Sequence, residues 1–186
     1  KNFKISPKLS YDLASLKVIF STGSPLRGEN FDYVYQEVKD NVRLSSISGG
    51  TDIISCFVLG NPQLPVYRDE IQSIGLGMDV QSINSENKSV KNVEGELICA
   101  KPFPSMPISF WEDKNNKKYI ESYFNKFPDV WHHGDFITIY DHGGVQVFGR
   151  SDTTLNPGGV RIGTSEIYNA IDSIDGIIDS IVVGQK

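Results

Sequence analysis

The stretch Gly149-Arg150-Ser151-Asp152-Thr153-Thr154-Leu155-Asn156-Pro157-Gly158-Gly159-Val160-Arg161-Ile162-Gly163-Thr164-Ser165-Glu166-Ile167 decides the reading of this chain. It is preceded by Val145-Gln146-Val147-Phe148, whose apolar alternation predicts a strand. It is followed by Ile167, Ala170, Ile171 and Ile174, whose spacing predicts a helix. Thr164 and Ser165 suit the cap of that helix, and Glu166 in its first turn suits the helix dipole. Between strand and helix lie Arg150, Asp152 and Arg161, with Gly158-Gly159 beside them. Two guanidiniums and a glycine pair at a helix entrance suit a phosphate or a carboxylate. The same residues also suit a plain turn, a capped helix and solvated arginines.

Working outward, the 186 residues are enough for one or two domains with a sizeable core. Apolar residues at 39% and charged residues at 22% are ordinary for a soluble globular chain. A net charge of −5 argues against non-specific nucleic-acid or anionic-membrane binding. No apolar run approaches membrane-spanning length. Cys56 and Cys99 lie in apolar runs and read as reduced, buried thiols, which fits an intracellular, cytoplasmic setting. Neighbouring residues of an extended segment point to opposite faces, so His132 and His133 are poor co-ligands for one metal. The chain opens without Met and closes on an apolar, strand-like run at Ser180–Val183, so it reads as a fragment of a longer protein.

Upstream, Leu13 to Leu16 read as the end of a short helix and Val18-Ile19-Phe20 as a short strand. The strand runs into Gly23-Ser24-Pro25, which must turn, and then into a helix with Phe31, Val34, Tyr35 and Val38 on one face. Strand, turn and helix in that order make an α/β unit, and ligands favour the carboxyl ends of such strands. A second strand at Val42 to Ile47 empties into Ser48-Gly49-Gly50-Thr51-Asp52. There the glycines permit close backbone approach, Thr51 offers a hydroxyl, and Asp52 offers a hard oxygen suited to Mg²⁺. A capped glycine-rich turn without a ligand fits the same residues. Ile54 to Leu59 and Glu94 to Ala100 read as strands, Pro102 to Pro107 as a packed loop, and Tyr119, Tyr123 and Phe124 as the aromatic face of a short helix. Asp135 follows a glycine and precedes a strand at Phe136 to Tyr140, and Asp141 to Gly144 returns the chain as a hairpin. That hairpin brings Asp135 and Arg150 to the same end of two strands.

Taken together, Gly149-Arg150-x-Asp152, Gly159-Val160-Arg161-Ile162 and Glu166-Ile167 resemble the hinge signature of the acyl-adenylate-forming enzymes, the acyl-CoA synthetase and ligase superfamily. Gly23-Ser24-Pro25, Gly49-Gly50-Thr51-Asp52 and Gly134-Asp135 resemble three further motifs of the superfamily, in its order. Asp52 stands where the superfamily has Glu. Ser48 to Ile53, Gly60 to Pro62, Leu64 to Tyr67, Pro104 to Pro107 and Leu155 to Thr164 look like the acetoacetate-activating branch.

The resemblance implies an α/β fold: residues 1–150 would be the later part of an adenylation core, an α/β unit plus a β subdomain. Residues 151–186 would be a hinge and the start of a small α+β C-terminal domain. It implies an acid–thiol ligase that uses ATP, Mg²⁺ and coenzyme A on a small carboxylate such as acetoacetate. Gly23, Ser24 and Pro25 would hold adenine, Asp135 and Arg150 the ribose, Thr51 and Arg161 the phosphate, and Asp52 the metal. Asp152 would be the hinge, Gly158 and Gly159 would lie near the pantetheine tunnel, and Gly49 would leave room for the acyl group. A glycine-rich phosphate loop and the adenylation lysine have no counterpart in these residues, so the chain alone is expected not to turn over. Another short-chain synthetase or adenylation domain, or a non-catalytic binding module, are the alternative readings.

Overall fold

A one-turn helix, α1 (Pro7–Ser10), with proline in its first turn, opens the part of the chain that the structure, a computed structural model, describes: residues 5–152, 167–168, 170–171, 174 and 176–182. The expected helix end at Leu13 to Leu16 is instead a turn. Asp12 Oδ1 accepts from the Ala14 N–H at 2.9 Å, and Lys39 Nζ takes the carbonyls of Leu13, Ala14 and Leu16 at 2.7–3.1 Å. Aspartate prefers such local bonds to a helical ladder.

β1 (Val18–Ser21) and β2 (Arg43–Ser46) pair in parallel, with Val18 opposite Arg43. Parallel neighbours need a crossover. It is made by α2 (Gly28–Tyr33), which continues as a π-helical turn over Val34–Val38. The expected apolar face is realised most fully at its start: Phe31 is buried, while Val34, Tyr35 and Val38 are half-buried. The wider π winding carries the later residues off the 3.6-residue stripe.

β3 (Ser48–Gly50), β4 (Ser55–Leu59) and β5 (Ser73–Ile74) form a small antiparallel sheet in that order. β6 (Val80–Ile83), β7 (Ser89–Val90), β8 (Gly95–Cys99), β9 (Trp131–Ile139) and β10 (Val145–Arg150) form a second one, in the order β10-β9-β8-β6-β7. All its pairs are antiparallel. The alternation in Val145 to Phe148 and in Phe136 to Tyr140 is thus a hairpin, closed by Tyr140 N–H to the Gly144 carbonyl at 2.9 Å. A bridge between Ile71 and Val145, with bonds of 2.7 and 2.8 Å, ties the segment before β5 to the free edge of β10.

The core lies between the two sheets. Phe57, Leu97, Trp131, Ile137 and Val145 are at most 1% exposed there. Each contributes about 1.5–3 kcal/mol by leaving water. α3 (Lys117–Tyr123) is capped by Asp113, whose carboxylate accepts from the Lys118 and Tyr119 N–H groups at 3.0 and 2.9 Å. Its aromatic face packs on Trp131, with the Tyr123 ring stacked at 3.7 Å, so the stripe is core, as the spacing implies. Cys56 and Cys99 are free thiols, half-buried and buried.

Farther on, Ile167, Tyr168, Ala170 and Ile171 are helical, in line with the expected helix, whereas Ile174 lies in a bend beyond it. Thr164, Ser165 and Glu166 lie outside the described residues. Ser180 to Val182 are not strand: strands need partners, and the Val182 N–H bonds to the Tyr168 hydroxyl at 2.9 Å instead. Among the described residues no helix is long and apolar enough to cross a membrane.

Candidate functional site

β1 and β2 both end at one cavity of about 250 Å³. Its walls come from the turn Thr22 to Leu26, the exit of β2 through Ser48 and Gly49, the segment Asp69 to Ile71, and the β9–β10 hairpin through His133, Asp135, Val147, Gly149 and Arg150. The open end of a parallel pair collects ligands because the flanking turns diverge there. Gly23 has φ of +93° and nothing within 4 Å of where a Cβ would stand, so the turn needs its backbone freedom and not its small size.

Sheet register builds the polar wall. Asp135 and Arg150 are Cα partners across β9 and β10. The guanidinium lies 3.5 Å from Asp135 Oδ1 and also grips Asp152, with Nε to Oδ1 at 3.0 Å and Nη2 to Oδ2 at 2.5 Å. Gly134 is required beside them: its φ is +81°, and a Cβ there would stand 2.8 Å from Arg150 Nη2. Asp135 is 6% exposed, and burial pushes its carboxyl up to about 6, although the Arg150 charge pulls the other way. The Arg150 hydrogen bonds hold the Asp152 carboxyl below its usual range.

His133 shares the inward face of β9 with Trp131 and Asp135. Burial pushes its imidazole down to about 4, so it is neutral at pH 7, and its 3.6 Å approach to Asp135 is not an ion pair there. Its Nε2–H donates to the Gly49 carbonyl at 3.2 Å, and Nδ1 faces the Trp131 indole N–H at 3.5 Å. A carbonyl can only accept, so these partners select the Nε2–H tautomer. The ring thereby joins the two sheets at the cavity floor. His132 points to the other face, where it meets Glu96 at 2.7 Å, as alternation requires.

Of the residues singled out by sequence, the cavity gathers Gly23, Ser24, Pro25, Gly49, Asp135 and Arg150. Thr51 and Asp52 follow directly from Gly49-Gly50 but are exposed and outside the lining. Asp52 Oδ2 accepts from the Tyr123 hydroxyl at 2.5 Å, and burial together with that bond keeps the phenol protonated. Gly49 lines the cavity for a reason different from the expected one. A Cβ there would stand 2.1 Å from the Ser55 carbonyl, so close packing against β4 demands the glycine and a side chain would press on β4. Arg161, Gly158 and Gly159 lie outside the described residues. Sequence reading missed His133, Asp69, Glu70, Ile71 and Val147. His133 and Val147 were findable from strand alternation. Asp69 to Ile71 carry no local pattern and arrive through the Ile71–Val145 bridge.

Among the described residues no group of three His, Cys, Asp or Glu side chains is placed to hold a metal. Arg150 is the cation among the described lining residues, beside Asp135, and Asp69 and Glu70 add two further carboxylates to the lining. Such a wall suits a neutral, hydroxyl-rich ligand better than a polyanion: an ionised buried carboxylate is a strong acceptor for two hydroxyls.

No protein-family model matches the chain. It is 53% identical over 180 residues to the acetoacetyl-coenzyme A synthetase of Rhizobium meliloti (strain 1021), covering 97% of this chain and 28% of that protein. It is 50% identical over 186 residues to the acetoacetyl-CoA synthetase of Gallus gallus, covering all of this chain and 28% of the relative. The solved acetoacetyl-CoA synthetase from Streptomyces lividans superposes with a TM-score of 0.85 at 40% identity, over 96% of this chain and 28% of that one. The anthranilate CoA ligase AuaEII, solved in complex with anthranoyl-AMP, superposes with a TM-score of 0.67 at 21% identity over 85% of this chain and 29% of that one, a likeness of fold. The chain is homologous to a segment of acetoacetyl-CoA synthetases and spans about 28% of the length of the curated relatives it matches.

Proposed function

We propose that the protein bearing this chain is an acid–thiol ligase that activates acetoacetate as an acyl-adenylate and passes the acyl group to coenzyme A, releasing AMP and pyrophosphate. The observation that carries the reading is the cavity, which gathers Gly23 to Pro25, Gly49, Asp135 and Arg150 from four separate stretches of a chain homologous to acetoacetyl-CoA synthetases. Residues 1–150 are then the later part of the adenylation core, and residues 151–186 the hinge and the beginning of a second, mobile domain.

In this reading Gly23, Ser24 and Pro25 lay their backbone against the adenine ring. Asp135, ionised above about pH 6, accepts from the ribose hydroxyls, and Arg150 keeps it charged and contacts the sugar. His133 holds the Gly49 carbonyl, and with it the strand that ends in the Thr51-Asp52 turn. Thr51 donates to a phosphate oxygen, Arg161 meets the phosphate or adenylate end, and Asp152 is the hinge. Gly158 and Gly159 border the path of the pantetheine arm. Gly49 borders the acyl group through its backbone.

Asp52, an exposed carboxylate, would hold Mg²⁺ as a hard oxygen ligand. When bound, the ion neutralises charge on the reacting phosphoryl oxygens. Asp52 reaches it by releasing Tyr123 or through water, since its side chain is one methylene shorter than glutamate. The protein works in the cytoplasm.

The test is pyrophosphate release by the complete protein with ATP, Mg²⁺, coenzyme A and a panel of short acids. Acetoacetate is expected to give the highest kcat/KM, and the 186 residues alone no turnover. Release that does not depend on any acid overturns the reading.

A further inference from the structure

Glu96 lies on β8, the strand next to β9 of the cavity wall, and its side chain is only 13% exposed. One oxygen, Oε2, accepts from the Ser151 hydroxyl at 2.6 Å and faces His132 Nε2 at 2.7 Å. The other oxygen pairs with Lys126. Burial pushes this carboxyl up, but the bonds from His132, Lys126 and Ser151 outweigh it and hold it down at about 2. It is therefore a charged acceptor throughout the neutral range.

Ser151 directly follows Arg150, at the end of β10. Its N–H donates to the Gly134 carbonyl at 2.8 Å while its hydroxyl reaches past β9 to Glu96. One bond holds Ser151 to the β9 backbone and the other to a side chain of β8. Strand ends fray when nothing holds them. Arg150 and Asp152 flank Ser151, and the guanidinium spans the 3.5 Å to Asp135. An exposed ion pair would hold the strand end weakly. A mostly buried carboxylate with both oxygens engaged is different: loss of one donor leaves charge under-satisfied inside the protein.

We infer that Glu96 is a positioning residue for Arg150: by gripping Ser151 across β9 it fixes the end of β10 and so the place of the guanidinium beside Asp135 at the cavity. The effect on ligand rests on the reading of Asp135 and Arg150 as the ribose wall. The grip itself does not, and the experiment separates the two.

In the complete protein, Ser151→Ala, Ser151→Thr and Glu96→Gln are compared by two readouts. The first is the rate of tryptic cutting at the Arg150–Ser151 bond, followed by mass spectrometry and normalised to the urea-unfolded chains. The second is the Kd for ATP set against the KM for acetoacetate. Ser151→Ala and Glu96→Gln are expected to speed that cut about tenfold and to weaken ATP about five- to tenfold, the effect of one lost hydrogen bond to a charged group. The KM for acetoacetate stays within about twofold, and Ser151→Thr, which keeps the hydroxyl, behaves as wild type. If Glu96→Gln does not fold, Ser151→Ala decides alone. Unchanged cutting in Ser151→Ala overturns the inference. Faster cutting in a protein whose wild type binds no ATP upholds the grip and overturns the nucleotide reading instead.

Discussion

Two carboxylates with opposite fates lie against the two faces of β9, Glu96 half-buried and Asp135 buried. On one face Glu96 reaches His132, Ser151 and Lys126, and its carboxyl sits at about 2. On the other, Asp135 stands beside His133, has Arg150 and His133 at 3.5 and 3.6 Å, opens onto the cavity, and is pushed by burial to about 6. The chain thus spends its donors on the carboxylate that holds the sheet together. It leaves the other under-satisfied, where a ligand can supply the missing hydroxyls. The difference separates the two acids more sharply than exposure does, since both side chains are largely buried.

The hardest blow to the comparison is Trp131→Ala. Trp131 is 1% exposed, carries the α3 rings and faces His133. Its loss is expected to cost about 3–5 kcal/mol in urea unfolding and to blur both faces at once. Next comes the direct contrast at pH 7. Glu96→Ala should destabilise by about 2–3 kcal/mol, since it strands His132, Ser151 and Lys126. Asp135→Asn should be neutral or stabilising by up to about 2 kcal/mol, because it removes a buried charge that folding disfavours. Equal losses in both, by urea unfolding, would erase the distinction. In the complete protein Asp135→Ala is expected to weaken ATP by about 1–3 kcal/mol by equilibrium dialysis, so what the site forfeits in stability returns as binding.

The pH dependence carries the same contrast with opposite signs. Glu96 has its folded pKa near 2, below the ordinary 4.5, so its stability is present above about pH 4.5 and is lost as pH falls through 4.5 to 2. Asp135 has its folded pKa near 6, above 3.8, so folding binds a proton there, and stability falls as pH rises from about 4 to 6. Urea midpoints should fall across that upper window in wild type and flatten in Asp135→Asn, while ATP affinity rises across it. The smallest effect sharpens the role of Gly134. Gly143→Ala, at φ +93° with open space around it, should cost about 1–2 kcal/mol, and Gly134→Ala should add to such a cost the displacement of Arg150.

Much of this was legible from the chain. Alternation in Phe136 to Tyr140 and Val145 to Phe148, with a turn of Gly143-Gly144 between, is enough to place Asp135 and Arg150 side by side, because antiparallel register leaves few choices. Strand, Gly-Ser-Pro turn and helix foretold the parallel pair and the end at which the cavity opens. The Thr51-Asp52 turn was legible as a motif but not as a contact. A turn has no register, so Asp52 takes the partner that the aromatic cluster offers, Tyr123. Gly49 was legible as a special glycine, yet the volume it spares faces β4, a direction set by the bulge between Ser48 and Gly49.

What the sequence by itself determined is periodic or covalently near: the strand pairs, the shared end of Asp135 and Arg150, the opposed faces of His132 and His133, and the likeness carried by ordered motifs. What only the tertiary structure decided is which buried acid receives donors. Glu96 and Asp135 are each one carboxylate in an apolar strand. Their pKa values diverge because Ser151, His132 and Lys126 donate to one, while burial outweighs the Arg150 charge at the other. Desolvation and hydrogen bonding depend on the atoms packed around a group, and no spacing along the chain encodes those neighbours.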